Sequence, residues 1–97
     1  MKAISRSEVK EFLSANLKDW SFDGTFIFRN FKFSNFVNAF AFMTSVALYA
    51  EKAEHHPDWS NVYNTVNIKL NTHDASGITQ LDFDLAANID KLFEFYS

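Results

Sequence analysis

The chain has no cysteine, one proline and two glycines among its 97 residues. Without cysteine, neither a disulfide framework nor a thiolate metal site can form, which fits a reducing compartment. No apolar run approaches the roughly 20 residues needed to cross a bilayer. The opening Met1-Lys2-Ala3-Ile4-Ser5-Arg6 lacks the apolar core of a secretory leader. The expectation is a soluble intracellular protein with no membrane partner. Basic residues are also sparse: nine Lys and Arg stand against twelve Asp and Glu, and the net charge is −3. Nucleic-acid binders usually carry a basic face, and here the cations are scattered without a run, so direct nucleic-acid binding is not expected. There is no Gly-rich phosphate loop, no G-x-S-x-G elbow and no H-E-x-x-H metal motif.

Aromatic residues are abundant. Twelve of the 97 residues are Phe, and 47% of the chain is apolar. A chain of this length forms one domain, residues 1–97. That many large apolar side chains exceed what one small monomer covers easily, which points to a homo-oligomer.

Few breakers interrupt the pattern, so those present are informative. Ser5-x-x-Glu8 suits a capping box, and Val9, Phe12, Leu13 and Leu17 follow at helical spacing, predicting a first helix over about 6–17. Trp20 and Phe22 precede Asp23-Gly24, a hairpin-turn signal. The aromatic and β-branched run from Thr25 to Phe33 predicts a second strand with Ile27, Phe31 and Phe33 on one face. Ser34 is the expected N-cap of a long helix over 35–54. Its apolar arc takes in Phe36, Val37, Phe40, Met43, Val46, Ala47, Leu48 and Ala50, with Phe42 and Tyr49 outside the centre. The arc exceeds the stripe that a one-sided surface helix needs. One side is therefore expected to pack on a sheet and the other on a partner subunit's helix. The plainer alternative is that loops of the same chain cover Phe42 and Tyr49.

Pro57 ends that helix. Residues 61–72 alternate with Val62, Val66, Ile68 and Leu70 on one side, as one long strand or two strands kinked near Asn64-Thr65. A loop at 73–77 leads to Thr79 as N-cap, and Leu81, Leu85, Ile89, Leu92 and Phe93 mark a last helix with Asp82 in its first turn. The order predicts an α+β fold, an antiparallel sheet with helices on one face.

All three histidines lie where an element ends: His55 and His56 before Pro57, and His73 where a strand meets a loop. Glu51 and His55 are four apart and so share a helical face, where the carboxylate can fix the imidazole tautomer. Glu54, Asp58 and Asp74 add carboxylates nearby. Three readings stand. The histidines are unrelated surface residues, two of them capping a helix. They form a metal site with Glu51, His55 and His73. Or they form an acid–base site, since imidazole titrates near neutral pH and can both give and take a proton. Adjacent helical residues point about 100° apart, so His55 and His56 do not easily share one ion.

The stretch Glu51-Lys52-Ala53-Glu54-His55-His56-Pro57-Asp58-Trp59-Ser60-Asn61-Val62-Tyr63-Asn64, with Thr72-His73-Asp74 and Asp82, resembles the signature of the pterin-4a-carbinolamine dehydratases. The segments Phe31-Lys32-Phe33-Ser34-Asn35-Phe36 and Ala41-Phe42-Met43-Thr44-Ser45-Val46-Ala47 are also similar to that family. The resemblance implies a four-stranded antiparallel sheet with three helices on one face, in the order α-β-β-α-β-β-α, which selects two strands over 61–72. It implies dimers or tetramers with contacts through the 35–54 helix, and a cytoplasmic location that can extend to the nucleus. The implied reaction is dehydration of 4a-hydroxytetrahydropterin to quinonoid dihydropterin, recycling the cofactor after aromatic amino-acid hydroxylation. By the same resemblance His55, His56 and His73 are the acid–base residues, and Glu51 orients His55. Glu54, His55, His56, Asn71, Thr72, His73, Asp74 and Asp82 hold the pterin, and Trp20 walls the pocket. No metal or organic cofactor is implied. Some members carry Arg where this chain has Leu81, and some animal members stabilise dimers of a homeodomain transcription factor, a rival role for the fold.

Overall fold

The computed structural model describes residues 1–97. Helix α1 (Arg6–Asn16) is followed by strands β1 (Ser21–Phe22) and β2 (Ile27–Lys32), helix α2 (Phe36–Ala53), strands β3 (Asp58–Val62) and β4 (Thr65–Leu70), a short 3₁₀ turn (His73–Ala75) and helix α3 (Gln80–Tyr96). The four strands form one sheet in the order β1-β2-β4-β3, every neighbouring pair antiparallel. Ile27, Phe31, Val66, Ile68 and Leu70 from one sheet face enter a single core with Val9 and Leu13 of α1, Ala39, Phe42 and Val46 of α2, and Phe83, Leu85, Ala86 and Ile89 of α3. The opposite face carries polar side chains such as Asn30, Lys32 and Asn67. All three helices therefore lie on one side, as expected. No helix is long and apolar enough to cross a membrane.

The caps begin where the short polar residues lie. Ser5 Oγ accepts from the Glu8 amide, and Thr79 and Asp82 form a reciprocal capping box at the head of α3. At α2 the cap is Asn35, whose Oδ1 accepts the Asn38 amide at 2.8 Å. Ser34, the expected cap, instead accepts from the Asn38 side chain. Strand β3 begins at Asp58, earlier than the alternation at 61–72 suggests. A two-residue turn at Tyr63-Asn64 pairs Val62 with Thr65. Cross-strand partners share a face, so Val62 follows Thr65 outward and is exposed, whereas Val66, Ile68 and Leu70 are buried. Alternation counted straight through the turn places Val62 on the wrong side.

The inward face of α2 also differs from expectation. Ala39, Phe42, Val46 and Ala50 are its buried residues. Phe42 is 0% exposed, its ring packed among Phe31, Phe33, Phe93 and Tyr96. It is covered by the sheet and α3, not by loops. Phe36, Val37, Phe40 and Leu48, placed in the arc on sequence grounds, are exposed. A helix that is apolar nearly all round carries no pattern that marks its inner side, and the aromatic surface of β2 and α3 decides it.

One polar group is built into the core's edge. Asp90 on α3 accepts from Trp20 Nε1 at 2.9 Å and from Arg29 at 2.8 Å. The Arg29 guanidinium lies over the rings of Phe31 and Phe93. Burial raises the Asp90 carboxyl above its ordinary value, against the opposing hydrogen bonds of Trp20 and Arg29.

Candidate functional site

Helix α2 does not end as a straight helix would. Glu54 adopts a left-handed conformation (φ 54°) and its amide returns to the carbonyls of Ala50 and Glu51, a common way for a helix to stop. His55 N–H then bonds to Ala50 O. The chain has left helical phase before the first histidine, so spacing along α2 no longer says which side chains meet.

His55 turns inward. Its Nε2 lies 2.6 Å from Asp82 Oδ1, and the two side chains are 11% and 0% exposed. His56 turns outward, with Nε2 2.8 Å from Glu51 Oε1 and side chains 64% and 80% exposed. The expected Glu51–His55 pair is therefore not formed. Glu51 holds His56, five residues on, and His55 is held by a carboxylate 27 residues away in sequence. An exposed pair of that kind contributes little to stability, whereas a buried one fixes geometry.

The Asp82 carboxylate is fully hydrogen-bonded. Its Oδ2 accepts the Thr72 hydroxyl at 2.8 Å and the Thr79 amide at 2.9 Å. An ionised carboxylate only accepts, so His55 donates from Nε2, and Nδ1 makes no hydrogen bond within the protein. No buried side-chain nitrogen or oxygen is left without a partner. The capping box that starts α3 thus also holds the imidazole at the end of α2.

His73 arrives from the other side. It opens the 3₁₀ turn after β4, a turn closed by the bridge between Thr72 and Gly77. It is exposed, as is Asp74. Between this turn and the end of α2 lies a cleft of about 440 Å³ lined by Met1, Glu54, His55, His56, Asn71, Thr72, His73, Asp74 and Leu81. That volume lies within the usual range for a small-molecule site.

Seven sequence-derived site residues meet in this cleft: Glu54, His55, His56, Asn71, Thr72, His73 and Asp74. Asp82 lies behind His55, away from the cleft surface. Glu51 stands outside, reached only through His56. Trp20 is not brought to the cleft. It is buried against the core, tied to Asp90, and borders a separate hollow of about 280 Å³ with Lys10, Lys18 and Ser21. Thr79, read from sequence only as a helix cap, proves to be part of the site's support. The signal was present in Thr79-x-x-Asp82, a capping-box spacing, but nothing local says that the same aspartate reaches a histidine. No three His, Asp or Glu side chains converge as a metal-ligand set.

Comparison with known proteins adds to this geometry. Residues 2–92 match the family model described as pterin 4 alpha carbinolamine dehydratase. A protein of Mesorhizobium japonicum, provisionally named a pterin-4-alpha-carbinolamine dehydratase, is 60% identical over 81 residues, covering 81% of this chain and 83% of its own. One of Prochlorococcus marinus subsp. pastoris with the same provisional name is 52% identical over 91 residues, covering 94% of each chain. The crystal structure of a Brucella melitensis protein described as a transcriptional coactivator/pterin dehydratase superimposes with a TM-score of 0.88 at 44% identity, over 94% of this chain and 98% of that one.

Proposed function

This chain belongs to the pterin-4a-carbinolamine dehydratase family, and from that premise we propose that it dehydrates 4a-hydroxytetrahydropterin to quinonoid dihydropterin by histidine acid–base catalysis. The observation that carries the reading is the cleft itself. Three imidazoles border one ligand-sized space, each in a different setting: His55 locked from behind, His56 tethered at the rim, and His73 exposed on a short turn.

The reaction needs two proton movements. A proton is delivered to the 4a-hydroxyl, the C4a–O bond breaks and water leaves. The N5 lone pair forms the new π bond to C4a, and the N5 proton passes to a base. The protons balance, so one protonated and one neutral imidazole suffice, and each turnover regenerates the pair in exchanged form. Glu54, Asn71 and Asp74 supply polar groups around the ring. The product's fate fits recycling of a tetrahydropterin after aromatic amino-acid hydroxylation.

Freshly generated 4a-hydroxytetrahydropterin, followed by absorbance, tests this. The protein should accelerate its loss well above the spontaneous rate. A folded protein with no effect on that rate would sink the dehydratase reading and leave a protein-binding role, of the coactivator kind named for the Brucella melitensis protein.

The assembly is proposed on a separate observation. Phe36, Val37, Phe40 and Leu48 are exposed on α2, with the Phe36 and Phe40 rings 5.8 Å apart. Such a patch is costly to leave in water, and a homodimer or homotetramer through this helix would cover it. Phe40→Glu combined with Leu48→Glu is expected to lower the mass seen by light scattering to that of a smaller species, with the circular dichroism spectrum unchanged. An unchanged mass above the monomer's would place the contact elsewhere.

A further inference from the structure

We propose that Thr72 is a positioning residue that sets His55 and His73 relative to one another, and that its hydroxyl does not touch the substrate. The inference rests on the dehydratase reading for its consequence, but its geometry stands apart from it.

Thr72 is 6% exposed. Its single hydroxyl proton goes to Asp82 Oδ2 at 2.8 Å. The Thr79 hydroxyl lies 2.7 Å from Thr72 Oγ1. Because Thr72 has already spent its proton on the carboxylate, Thr79 must donate there. The hydroxyl is therefore engaged within the protein as both donor and acceptor. Through Asp82, whose other oxygen takes His55 Nε2 at 2.6 Å, the Thr72 side chain governs the orientation of His55.

The main chain of the same residue governs His73. Thr72 N–H donates to Gly77 O at 2.8 Å, and Thr72 C=O accepts from Ala75 N at 3.0 Å. These bonds close the turn whose first residue is His73. One residue thus ties the carboxylate behind His55, by its side chain, to the turn that presents His73, by its backbone. Acid–base catalysis between two imidazoles depends on their separation, and small misplacements cost large factors in rate.

Thr72→Val keeps the shape and removes the hydroxyl. Asp82 Oδ2 then retains only the Thr79 amide, and the Thr79 hydroxyl loses its buried acceptor. We expect kcat to fall about 10- to 100-fold with KM nearly unchanged, and the pH profile of kcat to move, because His55 loses its fixed partner geometry. Thr72→Ser, which keeps the hydroxyl, should restore most of kcat and the wild-type profile. A rise in KM at constant kcat would overturn the proposal by making Thr72 a substrate contact, and a serine variant as impaired as the valine one would overturn it by removing the hydroxyl's role.

A second measurement needs neither turnover nor a stable variant. Nitrogen-15 histidine spectra of the wild-type protein should show neutral His55 as the Nε2–H tautomer, held by Asp82. The Nδ1–H tautomer at His55 would overturn the positioning chain even if dehydratase activity were found. The expected tautomer with no dehydratase activity would leave the positioning chain standing while the dehydratase reading failed.

Discussion

Replacement of His73 by alanine is expected to lower dehydratase turnover by about 10²- to 10⁴-fold, the usual range for a positioned acid or base, while leaving the melting temperature almost unmoved. His73 is exposed on a short turn, its side chain makes no hydrogen bond, and the turn is closed by backbone bonds of Thr72. Surface changes of this kind usually fall within about 0.5 kcal/mol. His55→Ala should differ in a diagnostic way. It abolishes comparable activity but also leaves the Asp82 carboxylate, 0% exposed, short of one partner. An orphaned buried acceptor costs about 1–3 kcal/mol, and more when charged. The two variants, assayed for turnover and by thermal melting, separate a group that acts on the substrate from one that also holds the site together. A wild-type rate in His73→Ala would remove that residue from the mechanism.

The largest effect on stability is expected at Phe42. Truncation to alanine should cost about 3–5 kcal/mol, a large fraction of the roughly 5–15 kcal/mol that holds a domain of this kind together. The ring is fully buried and meets Phe31, Phe33, Phe93 and Tyr96, so its loss opens a cavity between the sheet, α2 and α3. Phe40→Ala, at a position 56% exposed, is the control. It should change monomer stability little and affect only assembly. Urea titration of both variants at low protein concentration decides the matter. A near-neutral Phe42→Ala with a costly Phe40→Ala would reverse the inner and outer faces of α2.

The elements themselves were legible because their signals are local. Ser5 and Thr79 announce helix starts through hydroxyls that reach amides two or three residues on. Pro57 signals the end of α2, though the helix itself stops earlier, at the left-handed Glu54. Val66, Ile68 and Leu70 alternate because strand side chains do. Seven of the nine residues that line the cleft were named from their resemblance to a family motif, since Glu54-His55-His56 and Asn71-Thr72-His73-Asp74 are two short stretches, each carried by the end of one element; Met1 and Leu81, which also line it, were not.

Where sequence reasoning failed, a periodic rule had been extended past the point at which its period holds. The pairing of Glu51 with His55 assumes helical phase, which the left-handed Glu54 ends one residue too soon. The placement of Val62 assumes strand alternation through a turn of two residues. The inward face of α2 was undetermined because apolar residues occur on nearly every side of it.

By itself, then, the sequence determined the kinds and order of elements, save whether 61–72 is one strand or two, and the caps of α1 and α3, because each depends on interactions within a few residues. The polar groups at chain positions 54–56 and 71–74 were named through the family resemblance. Only the tertiary structure decided which carboxylate serves which histidine, which face of α2 is core, and that Trp20 lies against Asp90 and away from the cleft. Those choices depend on groups tens of residues apart meeting in a packed interior, where a buried polar atom must find a partner and a large ring must fill the space available.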